Sequence, residues 1–168
     1  MRITVLGAGS WGTTLAILLS ENAHQVILWS HRDDHARIML ESRENRPLLP
    51  GVKIPSEIGI TSDLEHSVAH AELIVTAIPT QFVRTIAERL RTHDFRGVMI
   101  VNVAKGIENK SLMTMSEVLI AAVILAFVIM TSLTALSTRM PVSLPSFISI
   151  WPPVSVCPAR MPAISSAF

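Results

Sequence analysis

Residues 2–16 read RITVLGAGSWGTTLA, an apolar run that leads directly into three glycines with the spacing G-x-G-x-x-G. Glycines with this spacing bind a dinucleotide when a strand precedes them and a helix follows. In that setting Gly7 permits a tight turn, Gly9 lets the backbone approach a pyrophosphate, and Gly12 lets the helix pack closely on the strand. The free amides at the helix start then face the phosphates. The stretch therefore predicts a turn that binds the pyrophosphate of a nicotinamide dinucleotide.

Short apolar runs alternate with amphipathic stretches along the first part of the chain, which is typical of βαβ units in a parallel sheet. The expected strands are residues 2–6, 25–29, 73–78 and 98–103, and the expected helices are residues 13–21, 33–42, 64–69 and 81–91. Residues 45–55, with three prolines and one glycine, predict an irregular surface connection. The whole pattern predicts an α/β fold of the Rossmann type, with a doubly wound, mostly parallel sheet.

Charged residues are distributed unevenly along the chain. It contains 14 Lys and Arg and 13 Asp and Glu residues, but beyond Glu117 only Arg139 and Arg160 are charged. This break predicts an NAD(P)-binding domain over residues 1–117 and an atypical hydrophobic, Pro- and Ser-rich tail over residues 118–168. The Rossmann-type fold is therefore expected to be truncated.

The tail has three interpretations. Residues 118–136 are 19 uncharged residues, a length that could cross a bilayer. Serine and threonine near the end of this run, and the absence of a flanking positive cluster, argue against a membrane segment. We favour a shifted reading frame, because it accounts for an abrupt change of composition inside a regular pattern. A genuine extension is the third interpretation.

Composition excludes several function classes. A net charge of +1 without a Lys/Arg cluster indicates no nucleic-acid partner. The single cysteine, Cys157, and an N-terminus without room for a signal peptide predict a cytoplasmic location. The pairs His31/His35 and His66/His70 lack a third ligand, so no metal site is expected. An unpaired sheet edge would allow a homo-oligomer.

The second expected strand ends in Ser30, His31 and Arg32, at the place where a domain that selects NAD normally carries an acidic side chain. Ser30 and Arg32 suit a 2′-phosphate instead, or an adenine on which the guanidinium stacks. Asp33 and Asp34 follow directly. We therefore expect NADP as the cofactor, or the use of both NADP and NAD.

Two further features follow the third and fourth of the expected strands, at the edge where open parallel sheets bind ligands. Pro79, Thr80 and Gln81 predict a rigid turn against the nicotinamide half of the cofactor. Lys105 places an ammonium group where a carbonyl or a phosphate could bind. By spacing alone, Lys105 could equally be an ordinary surface lysine.

Five segments resemble one enzyme family: GAGSWGTTLA (7–16), LWSHR (28–32), LLPGVKIP (48–55), AIPTQFVR (77–84) and NVAKGIE (102–108). Together they make residues 1–119 similar to the N-terminal domain of bacterial NAD(P)-dependent glycerol-3-phosphate dehydrogenases. Besides the three glycines, the resemblance implies cofactor contacts from Ser10, Trp11, His31, Arg32 and Lys105. It implies that Lys105 also contacts the substrate. The implied reaction is hydride transfer between sn-glycerol 3-phosphate and dihydroxyacetone phosphate, which supplies the glycerol backbone of phospholipids.

That family takes its principal proton-transferring lysine, and several substrate ligands, from a sixth strand and a helical second domain. It also has a segment that contains Ser-Gly-Pro. Neither that segment nor any lysine follows Lys110 in this chain. No catalytic residue is therefore expected here, and a catalytically inactive dinucleotide-binding fragment remains an alternative to the enzyme. A related reductase that acts on another short hydroxy or keto acid is a further alternative, which the AIPTQFVR and NVAKGIE segments fit less well.

Overall fold

The computed structural model of the chain describes residues 1–124. Residues 125–168 lie outside the described residues, and so does the choice among a membrane segment, a shifted reading frame and a genuine extension. The strands of the described part are β1 (Arg2–Leu6), β2 (Gln25–Trp29), β3 (Glu44–Asn45), β4 (Leu49–Lys53), β5 (Gly59–Thr61), β6 (Leu73–Thr76) and β7 (Met99–Asn102). Its helices are α1 (Ser10–Glu21), α2 (Asp33–Ser42), α3 (Leu64–Val68), α4 (Val83–Arg89) and α5 (Met115–Leu119).

Five of these strands form one parallel sheet in the order β5-β2-β1-β6-β7. From β1 the chain builds outward through β2 and β5, and then crosses to the other side of β1 for β6 and β7. Doubly wound sheets bind ligands at such a reversal of strand order. The carboxyl ends of the strands lie together, because Leu6 pairs with both Trp29 and Thr76, and Thr76 pairs with Asn102. The predicted Rossmann-type α/β fold is confirmed.

Strand β1 is buried on both faces of the sheet from Ile3 to Leu6, as its mostly apolar sequence predicts. Its successive side chains point to opposite faces. Ile3 and Val5 belong to a cluster with buried side chains of α1, α2 and the segment after β4, namely Ala16, Ala36, Met39 and Ile54. Leu6 belongs to a second cluster with side chains of α3, α4 and α5, namely Leu64, Val68, Val83, Ile86, Met115 and Val118. The helices therefore cover both faces of the sheet.

The bounds of β1, β2 and α2 agree with the sequence prediction, but those of other elements differ. α1 begins at Ser10 rather than at residue 13, because the chain becomes helical directly after Gly9, which is extended. A separate 3-10 turn, Thr80–Phe82, precedes α4. In the sequence, Phe82 shares one apolar stripe of the helix expected over residues 81–91 with Val83, Ile86 and Leu90. That placement of Phe82 is wrong, since the residue is 60% exposed. A tighter turn with three residues per repeat rotates Phe82 away from that stripe.

The predicted irregular connection over residues 45–55 is also wrong, because β3 and β4 pair as an antiparallel hairpin. Pro50 and Gly51 conceal the strand pattern of β4 in the sequence. Both residues are tolerated because this hairpin has only two strands, so that β4 has one side without a ladder partner. β5 is a further strand that the sequence pattern does not predict, since three residues beginning with glycine carry too little periodicity.

Helix α5 continues across the change of composition that follows Glu117. Thr114 caps this helix, because its hydroxyl accepts from the N–H of Glu117 at 3.4 Å while the Glu117 carboxylate accepts from the N–H of Thr114 at 2.8 Å. Val118 is fully buried. A π-helical turn, Ile120–Ile124, follows and packs against α4. No helix within the described residues is long and apolar enough to cross a membrane.

Candidate functional site

The glycine loop, residues 7–12, joins the end of β1 to the start of α1. Gly7 has a φ of +117°, and a Cβ there would lie 2.6 Å from the carbonyl oxygen of Ala77. A Cβ on Gly12 would lie 1.9 Å from the carbonyl oxygen of Gly7. Neither position has room for a side chain, because the obstructing atoms belong to the backbone. A Cβ on Gly9 would meet no atom within 4 Å, so the backbone there is open to a ligand.

The N-terminus of α1 presents backbone donors at this loop. Gly9 precedes the helix in an extended conformation, and no side chain caps the helix start. The first intrahelical bond runs from the N–H of Thr13 to the carbonyl of Gly9 at 2.9 Å, so the amides of Ser10, Trp11 and Gly12 have no helical partner. The first turn contains no acidic residue. This arrangement favours an anion, because the amides and the helix dipole both attract negative charge.

A pocket of about 490 Å³ opens beside the start of α1, at the carboxyl ends of the strands. Its walls are formed by the glycine loop, the end of β2, the start of α2, the tip of the β3–β4 hairpin, and the segments that follow β6 and β7. The volume lies in the range of pockets that bind small organic ligands. The position is that of the ligand crevice in doubly wound sheets.

Five predicted site residues line this pocket, namely Gly7, Gly9, Trp11, His31 and Lys105. The other three lie beside it. Ser10 is exposed in the first turn of α1, Gly12 is buried beneath the loop, and Arg32 is exposed at the rim next to His31. Pro79 and Thr80, which predict a turn near the nicotinamide, also line the pocket. The structure thus brings the sequence motifs together at one edge of the sheet.

Arg32 is engaged with a carboxylate at the pocket rim. Its guanidinium donates from Nε to Oδ1 of Asp34 at 3.0 Å and from Nη2 to Oδ2. These hydrogen bonds hold the pKa of the Asp34 carboxyl below its usual range and raise the pKa of Arg32. The two side chains are 60% and 50% exposed. A phosphate that binds Arg32 therefore has to compete with Asp34 at a solvated surface.

The segment that carries Lys105 is fastened to the turn after β6. The hydroxyl of Thr80 donates to the carbonyl of Lys105. The Gln81 side chain donates to the carbonyl of Ile107 and accepts from the N–H of Asn109, both at 3.1 Å. These bonds join the AIPTQFVR and NVAKGIE segments into one unit. The backbone of Lys105 is therefore fixed by hydrogen bonds, while its side chain is exposed at the pocket.

His35 and Leu48 also line the pocket and are not among the predicted site residues. His35 reaches the pocket from α2, and Leu48 from the tip of the hairpin. The sequence signal for Leu48 is its place in the LLPGVKIP segment. His35 carries no such signal, because its side chain is bound to Asn45, which in turn donates to Ala8 in the glycine loop and to Thr13.

The histidine pairs do not form a metal centre in the described part of the chain. Both ring nitrogens of His35 have protein partners, since Nδ1 lies 3.2 Å from the Ser30 hydroxyl and Nε2 lies 3.1 Å from the Asn45 side-chain oxygen. Across residues 1–124, no group of three or more His, Cys, Asp or Glu side chains could hold a metal ion.

A doubly wound parallel sheet with a glycine loop and a pocket at the reversal of strand order defines a nucleotide-binding domain of the Rossmann class. Comparison with known proteins then identifies the family within this class. A family model described as the N-terminus of NAD-dependent glycerol-3-phosphate dehydrogenase matches residues 2–130. The chain belongs to this family.

Individual relatives agree with this assignment. The chain is 50% identical over 119 residues to a glycerol-3-phosphate dehydrogenase [NAD(P)+] of Chlorobium luteolum, a match that covers 71% of this chain and 36% of that protein. Glycerol-3-phosphate dehydrogenase of Coxiella burnetii is similar in structure, with a TM-score of 0.68, 29% identity, and coverage of 72% of this chain and 37% of that chain. The glycerol-3-phosphate dehydrogenase of Saccharomyces cerevisiae is also similar in structure, with a TM-score of 0.66 and 28% identity. This match covers 73% of this chain and 39% of that chain. The chain spans little more than a third of the length of these relatives.

Proposed function

We propose that the pocket binds NADP or NAD, with the pyrophosphate on the glycine loop. The observation that carries this proposal is the open backbone at Gly9, directly before the free amides of Ser10 and Trp11. The pocket extends on one side to His31 and on the other to Lys105. In this proposal the adenosine half of the dinucleotide lies towards His31, the nicotinamide half lies towards Lys105, and the two phosphates lie between them. The name of the Chlorobium relative, which includes NAD(P)+, supports the same cofactors.

The use of both cofactors follows from the paired side chains at the adenosine end. Arg32 offers the 2′-phosphate of NADP a guanidinium with several donors. Asp34 offers the ribose hydroxyls of NAD an accepting carboxylate. Because each side chain is bound to the other before a ligand arrives, neither cofactor has an exclusive partner. We therefore propose a site that accepts both cofactors.

The proposed reaction is the one for which the relatives are named, hydride transfer between sn-glycerol 3-phosphate and dihydroxyacetone phosphate. The nicotinamide supplies or accepts the hydride. Lys105 binds both cofactor and substrate in this proposal, because its ammonium at the pocket suits a phosphate or carbonyl oxygen. The other residues of the site bind and orient the dinucleotide. No described residue is assigned to proton transfer.

We further propose that the protein works in the cytoplasm and supplies phospholipid synthesis. Both substrates of the proposed reaction are small phosphorylated compounds, and sn-glycerol 3-phosphate has the backbone to which acyl chains are attached. The composition of the chain, with a net charge near zero and one cysteine, suits this location. The dinucleotide site of the proposal lies within residues 1–117.

Dinucleotide binding is tested by calorimetric titration of the purified chain with NADPH and NADH, using Gly9→Ala as the decisive variant. The added methyl group meets no protein atom within 4 Å, so the variant folds normally but obstructs the close approach of a pyrophosphate. We expect its affinity for both cofactors to fall about tenfold or more. Equal affinity of this variant and the unsubstituted chain would contradict the proposal.

Gly59→Ala is the matched control. Gly59 lies in β5 away from the pocket, and the nearest atom to an added Cβ is 3.5 Å away, an ordinary contact distance. Like Gly9, it does not require a left-handed backbone. The control therefore adds the same methyl group without strain, and its cofactor affinity should equal that of the unsubstituted chain.

A second candidate function is binding of the dinucleotide without turnover. It is favoured by the residues that line the pocket. Lys105, which is assigned to binding, lines the pocket, whereas Lys53 and Lys110 lie elsewhere. No second lysine of the described residues is therefore at the pocket to transfer a proton. The two functions predict the same cofactor affinity but different rates. Oxidation of NADPH in the presence of dihydroxyacetone phosphate separates them. An enzyme-like rate excludes the binding-only function, whereas binding without NADPH oxidation supports it.

A further inference from the structure

The β3–β4 hairpin carries a buried amide group beneath the glycine loop. Asn45 is fully buried, and its Nδ2 donates to the carbonyl oxygen of Ala8 at 3.0 Å and to the hydroxyl of Thr13 at 2.8 Å. Ala8 lies inside the loop, and Thr13 lies one turn into α1. A single amide thus connects the loop to the helix whose N-terminus faces the pocket.

The orientation of this amide follows from its partners. The Ala8 carbonyl can only accept, so the nitrogen of Asn45 must face it. The Asn45 oxygen then faces Nε2 of His35 at 3.1 Å, and because that oxygen only accepts, Nε2 carries a proton. The other ring nitrogen, Nδ1, lies within hydrogen-bond distance of the Ser30 hydroxyl, at 3.2 Å. A continuous chain of satisfied hydrogen bonds therefore runs from the glycine loop to the end of β2.

Both ends of this hydrogen-bond chain reach the pocket. Ala8 lines the pocket at the glycine loop, and Ser30, which is itself buried, lines it at the end of β2. The hairpin also contributes Leu48 to the lining. Its base is anchored, because the guanidinium of Arg43 donates to the carbonyl of Ile58 at 2.9 Å. The hairpin is therefore a fixed support on which Asn45 is held.

We propose that Asn45 is a positioning residue of the dinucleotide site, holding Ala8 and the first turn of α1 where the loop amides stay open to a pyrophosphate. Without the Asn45 donors, the Ala8 carbonyl and the Thr13 hydroxyl are left buried and unpaired, and the loop moves to recover partners. The amides of Ser10 and Trp11 then move with it. The inference rests on the proposed dinucleotide binding and names a residue outside the glycine motif that shapes the phosphate site.

The test compares two threonine-to-valine variants of the full chain. Thr13→Val removes the hydroxyl that accepts from Asn45. Thr4→Val removes a hydroxyl that donates to the Ser67 carbonyl on a part of β1 away from the loop. The two threonines are 0% and 1% exposed, so each variant loses one buried hydrogen bond. Calorimetric titration with NADPH measures binding, and urea unfolding measures stability.

We expect Thr13→Val to weaken NADPH binding about tenfold, while Thr4→Val lowers the unfolding midpoint as much but leaves the affinity nearly unchanged. Thr13→Ser keeps the hydroxyl and restores binding. Asn45→Asp replaces the donating nitrogen with an accepting oxygen opposite Ala8. It should weaken binding at least as much as Thr13→Val.

Equal losses of affinity in Thr13→Val and Thr4→Val would overturn the inference, because binding would then follow stability alone. An Asn45→Asp chain that binds NADPH as well as the unsubstituted chain would overturn it too. If the unsubstituted chain itself binds no NADPH at millimolar concentration, the proposed function fails and the inference fails with it. That outcome is visible before any variant is made, so the two failures are distinguishable.

Discussion

The carboxylate of Glu108 accepts two parallel hydrogen bonds from the guanidinium of Arg84, from Nε to Oε1 and from Nη2 to Oε2, both at 2.8 Å. Arg84 lies in α4, and Glu108 lies in the segment after β7 that also carries Lys105. Their side chains are 31% and 14% exposed. The pair fastens the outer end of this segment, while the contact between Thr80 and the Lys105 carbonyl fastens the inner end.

Because of the Arg84–Glu108 pair, the free energy of unfolding should depend on pH in the acid range. Hydrogen bonds from Arg84, and then from the Ser111 hydroxyl, lower the pKa of Glu108 from 4.5 to about 2. A lowered folded-state pKa means that the stabilisation is complete above the ordinary value and is lost as the pH falls through the folded-state value. We expect Glu108→Gln to unfold at lower urea concentration than the unsubstituted chain near neutral pH. The difference should shrink between about pH 4.5 and about pH 2, which urea unfolding at several pH values measures.

Asp94→Asn is the control for this prediction. Asp94 also has its pKa lowered to about 2, by Arg96, and these side chains are 50% and 77% exposed. The pair is local in sequence and largely exposed to solvent, and such ion pairs contribute little to the free energy of unfolding. Near neutral pH, a midpoint shift in Glu108→Gln no larger than that in Asp94→Asn would contradict the prediction.

Gly12→Ala should destabilise the fold. In an exposed helix interior the same change stabilises by about 1 kcal/mol. Here the sign reverses, because the new Cβ would lie 1.9 Å from the carbonyl oxygen of Gly7. We expect the free energy of unfolding to fall by about 1–3 kcal/mol, the usual range for forced overpacking. Gly9→Ala, whose Cβ has no neighbour within 4 Å, should leave it nearly unchanged. Urea unfolding of both variants measures the difference, and equal midpoints would contradict this account.

Elements that are determined by local pattern could be predicted from the sequence. β1 and β2 have the expected bounds, because a strand that is buried on both faces forms a short, mostly apolar run in the sequence. Thr61, Ser62 and Asp63 are residue types that cap helices, and they predict a cap ahead of α3. The cap is present, since the Asp63 carboxylate accepts from the N–H of His66 at 3.0 Å. The hairpin could not be predicted in this way. Its pairing includes a register shift beside Asn45, and its second strand contains Pro50.

In the candidate site, too, features that are set by a local sequence pattern could be predicted, and features that depend on long-range contacts could not. The roles of the glycines could be predicted, because the G-x-G-x-x-G spacing itself specifies a turn, an open backbone and a close helix contact. The hydrogen bonds of His35 and Asn45 could not. Asn45 meets Ala8 across 37 positions of sequence, and such a contact leaves no periodic signal. Partners of this kind become visible only when the packed structure is known.

The cofactor preference should depend on Arg32 and Asp34 in opposite directions. Arg32→Ala removes the proposed partner of the 2′-phosphate, so we expect NADPH affinity to fall about tenfold while NADH affinity changes little. Asp34→Asn releases the guanidinium, so NADPH affinity should rise and NADH affinity should fall. Calorimetric titration with each cofactor measures both effects. Arg46→Ala is the charge-matched control, since Arg46 is exposed on the hairpin and pairs with Glu44 at 3.3 Å. Equal losses for both cofactors in Arg32→Ala would contradict the assignment.

Lys105→Ala tests the proposed contact with cofactor and substrate, and Lys110→Ala is its control. Both lysines lie in the segment after β7 and are exposed, but only Lys105 lines the pocket. Both variants lose one positive charge from the same segment, so an effect of overall charge would appear in each. A charge-assisted contact with a phosphate predicts a loss of NADPH affinity of about five- to tenfold in Lys105→Ala alone. Lys105→Ala should also weaken the binding of dihydroxyacetone phosphate to the NADP-loaded chain, followed by ligand-observed nuclear magnetic resonance. If the two variants bind NADPH equally well, Lys105 is an ordinary surface lysine.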